Sequence, residues 1–315
     1  MLAVARRLGE LGILGMNKRN ADFIMGYNQR RLYPLVDDKL QTKRLALAAG
    51  IAVPELYGVM ETPHDSMKLE SIVEGRTDFV IKPAHGSGGD GILVISGQSA
   101  RRQGVYRLVD GSFISAAAIR YHITNIVSGR YSLGGNRDCA MVEYCVQPDS
   151  VFENVSFRGV PDVRVLVFRG YPTMAMVRLP TRTSHGKANL HQGAVGVGIG
   201  MTSGMTLFGV QQNDTIEDHP DTGEPIAGIQ VPQWDVLLDL AARCYELTNL
   251  GYMGVDLVLD RDHGPLILEL NARPGLSIQI ANRSGLLQRL QRIQGQPDGL
   301  PVAERIAVTR REFPD

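Results

Sequence analysis

The runs Gly254-Val255-Asp256-Leu257-Val258-Leu259 and Leu266-Ile267-Leu268-Glu269-Leu270-Asn271-Ala272-Arg273-Pro274-Gly275 decide how this chain folds. Between them Arg261-Asp262-His263-Gly264 is turn-rich, as a hairpin loop requires. Closing the hairpin there pairs Val255 with Leu270, Leu257 with Leu268 and Leu259 with Leu266, which makes one wholly apolar face. The other face sets Asp256 opposite Glu269, with Asn271 two residues further along on the same side. Facing carboxylates on a sheet repel, at roughly a few tenths of a kcal/mol or more. A hard cation reverses that sign. Two carboxylates and an amide oxygen suit Mg²⁺, which keeps several waters and usually also holds a phosphate. The bland alternative is the solvated outer face of an ordinary hairpin.

At 315 residues the chain is long enough for two or three packed lobes around a large core. Hydrophobic residues make up 43% and charged residues 21%, ordinary values for a globular protein. The formal net charge is zero, so composition gives no case for a nucleic-acid binder. Three cysteines, Cys139, Cys145 and Cys244, form neither a disulfide framework nor a metal-binding spacing, and read as buried apolar residues in a reducing compartment. No apolar run nears the roughly 18 residues of a membrane helix. Arg6 and Arg7 stand where a signal peptide needs its apolar stretch. The expectation is a cytoplasmic protein without membrane insertion.

Along the chain, residues 1–16 read as an amphipathic helix and 17–38 as polar and turn-rich. Asp37 or Asp38 suits the cap of a helix ending at Gly50. A strand near 56–60 and a helix near 64–74 follow. Phe79-Val80-Ile81-Lys82-Pro83 reads as a strand running into His85-Gly86-Ser87-Gly88-Gly89-Asp90-Gly91, and 92–95 leaves that loop as a strand. Further predicted elements are a helix over 116–127, strands over 140–146, 163–169 and 173–179, a helix over 236–248 and one near 284–293. Residues 296–315 read as a loosely held tail. Strands and helices mix without βαβ alternation, which predicts α+β lobes. The expected division is 1–38 as a helical and polar segment, 39–142 as a first lobe with a Gly-rich lid, 143–295 as a second lobe with the metal site, and the tail.

Lys82 ends an apolar strand just before four glycines in six residues. Glycines let backbone N–H groups turn toward an anion, and a neighbouring ammonium adds charge. The order is not that of a Walker A loop; a plain hairpin turn competes on local grounds. Asp38-Lys39-Leu40-Gln41-Thr42-Lys43 offers a second lysine near a helix start, against a solvated helix-end lysine. Glu143-Tyr144 closes an apolar run, where a carboxylate and backbone groups suit an adenine amino group, against a plain strand terminus. In Asp162-Val163-Arg164 the alternation puts Asp162 and Arg164 on one face, with Arg178 on the next strand. Lys187-Ala188-Asn189-Leu190-His191-Gln192-Gly193 brings a cation, an amide and an imidazole into a turn. Such charges placed inward on adjacent strands suggest a polyanion cradle, against an exposed sheet face with a routine salt bridge.

In this order the residues resemble the ATP-grasp superfamily, and within it the RimK-type alpha-L-glutamate ligases, over about residues 37–283. The resemblance implies an ATP-grasp fold, two α+β lobes clasping ATP, with a short helical N-terminal segment. It implies that Lys39 and Lys82 hold the α and β phosphates under a lid of Gly86, Ser87, Gly88 and Gly89. Glu143, Tyr144 and Cys145 look like the adenine hinge, Asp162 like part of the following strand, and Asn189 like the turn before the metal site. Asp256, Glu269 and Asn271 match the ligands of Mg²⁺, for which Mn²⁺ is the substitute. Arg178, Lys187 and Arg273 are the candidates for charge on the transferred phosphoryl group and the tetrahedral intermediate. The chain departs from the family in having few residues before Lys39 and a long stretch, Cys145–Pro161, where Asp149 and Glu153 compete for the ribose.

The implied activity is ATP- and Mg²⁺-dependent joining of an amino acid, such as glutamate, to a peptide, protein or small acid through an acyl phosphate. The alternatives are a phosphotransferase on the same fold and a non-catalytic ATP-binding module. The partners implied are an amino acid and a carboxylate-bearing acceptor, with a homo-oligomer or a partner protein; either the polar Asn17–Arg31 segment replaces the usual N-terminal lobe, or a partner protein or the substrate itself completes the site.

Overall fold

The structure is a computed structural model that describes every residue except Met1, Ser87 and Asn213. The chain divides into two compact units, Asp38–Lys43 with Val53–Val146, and the remainder. Both sheets are antiparallel throughout, as expected for α+β lobes.

The smaller unit holds six strands: β1 (Leu56–Met60), β2 (Phe79–Pro83), β3 (Leu93–Gln98), β4 (Val105–Leu108), β5 (Phe113–Ser115) and β6 (Ala140–Glu143). Their order is β1-β6-β2-β3-β4-β5. Helix Ala116–Val127 starts at Ser115, whose hydroxyl accepts the Ala118 N–H at 3.2 Å. It buries Ile119, Ile123 and Ile126, at the three- and four-residue spacing of one helix face, against Phe79, Ile81 and Val142. That stripe is the unit's core.

The larger unit holds β7 (Asp162–Phe168), β8 (Tyr171–Leu179), β9 (Val195–Ile199), β10 (Thr206–Gln211), β11 (Asp214–Ile216), β12 (Tyr252–Asp260) and β13 (Gly264–Asn271). Their order is β11-β10-β9-β8-β7-β12-β13. Helix Trp234–Thr248 packs against β7, β8 and β12, and helix Val302–Glu312 packs on both β8 and that helix.

Three expectations are corrected here. Val255 does face Leu270 and Asp256 does face Glu269, but Leu257 pairs with Ile267 and Leu259 with Pro265. The loop is one residue tighter than read: Asp260 Oδ1 accepts the N–H groups of Asp262 and His263 at 2.9 and 2.8 Å, and Gly264 turns at φ +71°. A β-bulge between Asp256 and Leu257 absorbs the difference. Residues 302–312, read as tail, form a helix that buries Arg305, Val308 and Thr309. The polar stretch after residue 16 is largely helical and anchored: Phe23 lies edge-on to Phe168 at 5.6 Å, and the Asn28 amide bonds to both Tyr252 backbone groups. Among the described residues no helix is long and apolar enough to cross a membrane.

Candidate active site

In the smaller unit Lys82 stands on β2 one strand away from Glu143, which ends β6. Lys43 reaches the same carboxylate from helix Lys39–Ala48, at 2.9 Å, and Lys82 pairs with its other oxygen. The three side chains are only 6%, 7% and 3% exposed. Lys43 also donates to the Pro54 carbonyl. Burial raises the Glu143 carboxyl, but Lys82 and Lys43 outweigh it and hold the group below the usual carboxylate range. Burial pulls the Lys43 ammonium down, Glu143 opposes this, and Lys82 adds repulsion. Two buried cations against one anion leave a net positive charge, the condition under which a phosphate is welcome.

Asp38 caps the helix, its Oδ1 accepting from Leu40 and Gln41 at 2.9 and 3.1 Å. Lys39 donates to the Gly86 carbonyl at 2.5 Å, at the start of the glycine loop. Gly88 and Gly89 take φ +65° and +78°, the left-handed region that frees a turn's N–H groups. Ser87 lies outside the described residues. At the loop's base His85 pairs through Nδ1 with the buried Asp138 at 2.8 Å. The Tyr144 N–H donates to the Glu55 carbonyl at 2.9 Å, and Cys145 follows, half-buried, in the connection.

In the larger unit the register lines Met176, Arg164, Asp256 and Glu269 into one row across β8, β7, β12 and β13. The neighbouring row pairs Arg178 with Asp162. Arg164 grips Asp256 through both nitrogens at 2.6 Å. Arg178 bridges the rows, bonding Asp162 at 2.5 and 2.6 Å and Asp256 at 2.9 Å. The Asn271 amide N–H donates to Asp256 Oδ2 at 3.1 Å, which leaves its carbonyl oxygen, the atom a metal takes, without a hydrogen bond among the described residues. Burial lifts the Asp162 carboxyl to about 6 against the pull of Arg178. Burial also opposes ionisation of Asp256, but Arg164 and Arg178 win and hold it at about 2. Burial disfavours the Arg178 cation, but Asp162 and Asp256 more than offset this and raise its pKa.

Asp162, Arg178, Asp256 and Asn271 are therefore brought together, with Glu269 directly across from Asp256. The remaining expected residues of this unit lie outside those two strand rows. Asn189 caps the turn Leu190–Gln192, its side chain accepting the His191 N–H at 3.0 Å, and Lys187 lies half-buried in the same loop. Arg273 pairs with Asp37 at 3.5 Å and lies over the Tyr33 ring. Among the described residues no three His, Cys, Asp or Glu side chains converge as a metal site; the candidate set is two carboxylates and one amide. These are hard oxygen donors of the kind Mg²⁺ takes. Two participants were not anticipated as site residues, Lys43 and Arg164. The spacing of Lys43 from Lys39, one helical turn, and the alternation that puts Arg164 beside Asp162 were the available signals.

A family described as sugar-transfer associated ATP-grasp matches residues 18–295. This chain belongs to that family. The ATP-grasp resemblance read from the sequence is thereby borne out. No curated protein matches the chain. Among solved structures, the ATP-grasp chain is similar to the ATP-grasp ligase PsnB complexed with minimal precursor, at 17% identity and a TM-score of 0.44, covering 90% of this chain and 63% of that one. It is similar to a RimK domain ATP-grasp protein from Sphaerobacter thermophilus DSM 20745, at 17% identity and a TM-score of 0.45, covering 84% and 70%. It is also similar to the D-cycloserine synthetase DcsG, at 15% identity and a TM-score of 0.47, covering 89% and 73%. The ATP-grasp chain thus spans less than two thirds of PsnB's length.

Proposed function

We propose that this ATP-grasp chain is an ATP- and Mg²⁺-dependent carboxylate–amine ligase, joining an amino acid such as glutamate to a peptide, protein or small acid. One observation carries the reading: Asp256, Glu269 and Asn271 share a sheet face with two guanidiniums, Arg164 and Arg178, that are 13% and 12% exposed. Hard-cation ligands beside buried, preorganised cations suit phosphoryl transfer, which is mainly positioning and charge neutralisation.

In that reading Lys39, Lys43 and Lys82 hold the ATP phosphates, the glycine loop covers them, and Tyr144 and Cys145 offer backbone groups to the adenine. Asp256, Glu269 and Asn271 would hold Mg²⁺, which would supply charge neutralisation for phosphoryl transfer. A substrate carboxylate oxygen attacks the γ phosphorus and ADP leaves, giving an acyl phosphate. An amine then attacks the acyl carbon, the C–O bond to phosphate breaks, and the amine proton passes to solvent. Arg178, with Arg164, Lys187 and Arg273, meets the charge on the phosphoryl group and on the tetrahedral intermediate, and Asn189 positions the loop beside them.

The test is release of ADP and free phosphate from purified protein with Mg·ATP across a panel of carboxylates and amines, with mass spectrometry of products. Amine-dependent phosphate release with a condensed product supports the ligase. ADP formation without free phosphate, independent of any amine, replaces it with a phosphotransferase.

A further inference from the structure

Residues 147–161 build a cleft wholly within the larger unit. One side is tied to the end of the β12–β13 hairpin. Gln147 N–H donates to Asp260 at 2.8 Å, Asp149 N–H to the Leu259 carbonyl at 2.9 Å, and Arg261 N–H to the Gln147 carbonyl at 2.8 Å. The other side is tied to the end of β8, where Phe157 N–H donates to the Pro180 carbonyl at 2.9 Å. Between them Asp149 caps the turn Ser150–Val155, which buries Phe152 and Val155. The cleft is open to solvent on one side and has a volume of about 310 Å³, at the small end of the range for small-molecule sites.

What faces this cleft is chemically specific. Glu153 and Arg158 both line it, yet neither forms an ion pair with the other or with any described residue. The Ser156 hydroxyl also lines it, buried and without a hydrogen-bond partner. A buried hydroxyl left unpaired is a cost that a ligand's polar atom removes. The backbone that presents Arg158 is strained, with Arg158 at φ +41° and Gly159 at φ +126°. Gly159 admits no side chain, since a Cβ there would stand 2.0 Å from the Gly186 carbonyl oxygen. Such strain persists where the surrounding structure holds it, often at ligand sites.

We infer that this cleft binds a free α-amino acid, Arg158 taking the carboxylate in a forked contact, Glu153 the ammonium, and Ser156 completing the hydrogen bonds. An unpaired acid and an unpaired base across a small cleft match a zwitterion, whose two charges satisfy both at once. The role of that amino acid as the ligase's amine rests on the function proposed above; its binding does not.

The test is calorimetric titration of the full chain with each of the proteinogenic α-amino acids, without nucleotide and with Mg·ADP. At least one binds, and its N-acetyl and α-amide derivatives bind at least about tenfold more weakly. Arg158→Asn, which tolerates positive φ, loses about tenfold and no longer separates acid from amide. Glu153→Gln loses a similar factor and no longer separates the free amine from its N-acetyl form. Both side chains are exposed, and circular dichroism checks that the variants fold. No binding of any amino acid in either state, or unchanged binding in both variants, overturns the inference. Amine-dependent phosphate release with an unaltered KM for the amine in both variants also overturns it while leaving the ligase standing. Zwitterion-selective binding without any amine-dependent phosphate release keeps the site and removes the ligase.

Discussion

Replacing Glu143 by Gln removes the one anion that Lys43 and Lys82 share. Both ammoniums are less than a tenth exposed, so solvent cannot take over the carboxylate's role. Removing one partner of a buried ion pair costs about 3–5 kcal/mol, chiefly from the stranded charge. Glu143→Gln should therefore destabilise the smaller unit by that amount at pH 7. Lys43→Met offers the contrast. It leaves a one-to-one Lys82–Glu143 pair and should cost roughly 1 kcal/mol, for the Pro54 carbonyl that loses its donor. The Lys43 pKa is already depressed, so in the Gln variant the unfolded chain binds more protons than the folded one just below pH 10. Stability then rises with pH in that window, by up to about 1.4 kcal/mol per pH unit for one proton. Denaturant titration followed by hydrogen exchange in β2 and β6 reads the smaller unit, while fluorescence of Trp234, the chain's one tryptophan, reads the larger. Equal losses in the two variants, or a Glu143→Gln loss below about 1 kcal/mol, would refute a charge-balanced cluster.

Other outcomes follow from the larger unit and the cores. Glu269→Gln should lower amine-dependent phosphate release at least about a hundredfold, equivalent to roughly 3 kcal/mol of transition-state stabilisation, with an unchanged denaturation midpoint because the side chain is only half-buried; retained turnover would remove it from the metal set. Asp162 binds its proton more tightly folded (about 6) than unfolded (3.8), so its stabilisation is complete below about pH 4 and fades as pH rises through 6. The difference between wild type and Asp162→Asn in a pH series of unfolding free energies should show that loss; a flat difference counts against the assignment. Ile123→Ala, in the fully buried helix stripe, should cost about 2–5 kcal/mol, read by the same exchange measurement, and leave Trp234 fluorescence unfolding unmoved.

Much of this architecture was written in local pattern. The apolar run before Lys82 and the runs around Asp162 and Asp256 became strands, and the facing of Asp256 and Glu269 held because it lies beyond the bulge. Features that escaped reading depend on partners distant in sequence. Lys43 looks like a solvated helix lysine until Glu143, a hundred residues on, closes over it. The segment after residue 300 carries three arginines and reads as polar, yet Arg305 is buried, its guanidinium meeting Glu246. The only mark of the bulge is the apolar run Leu266-Ile267-Leu268, which interrupts the alternation without saying which strand holds the extra residue.

That bulge gives the hairpin a separation of duties. Pairing near the loop is set by Asp260 and Gly264, whereas pairing at Asp256 is set on the far side of an extra residue. A loop one residue longer would zip without the bulge and still bring Glu269 opposite Asp256. A strand lacking the extra residue, under the present tight loop, would do the same. The tip can thus drift in length and composition over evolutionary time, or accept grafted sequence, without turning the carboxylate to the wrong side of the sheet. Where a plain hairpin transmits every change at its turn along both strands, this one insulates its chemistry from its own end.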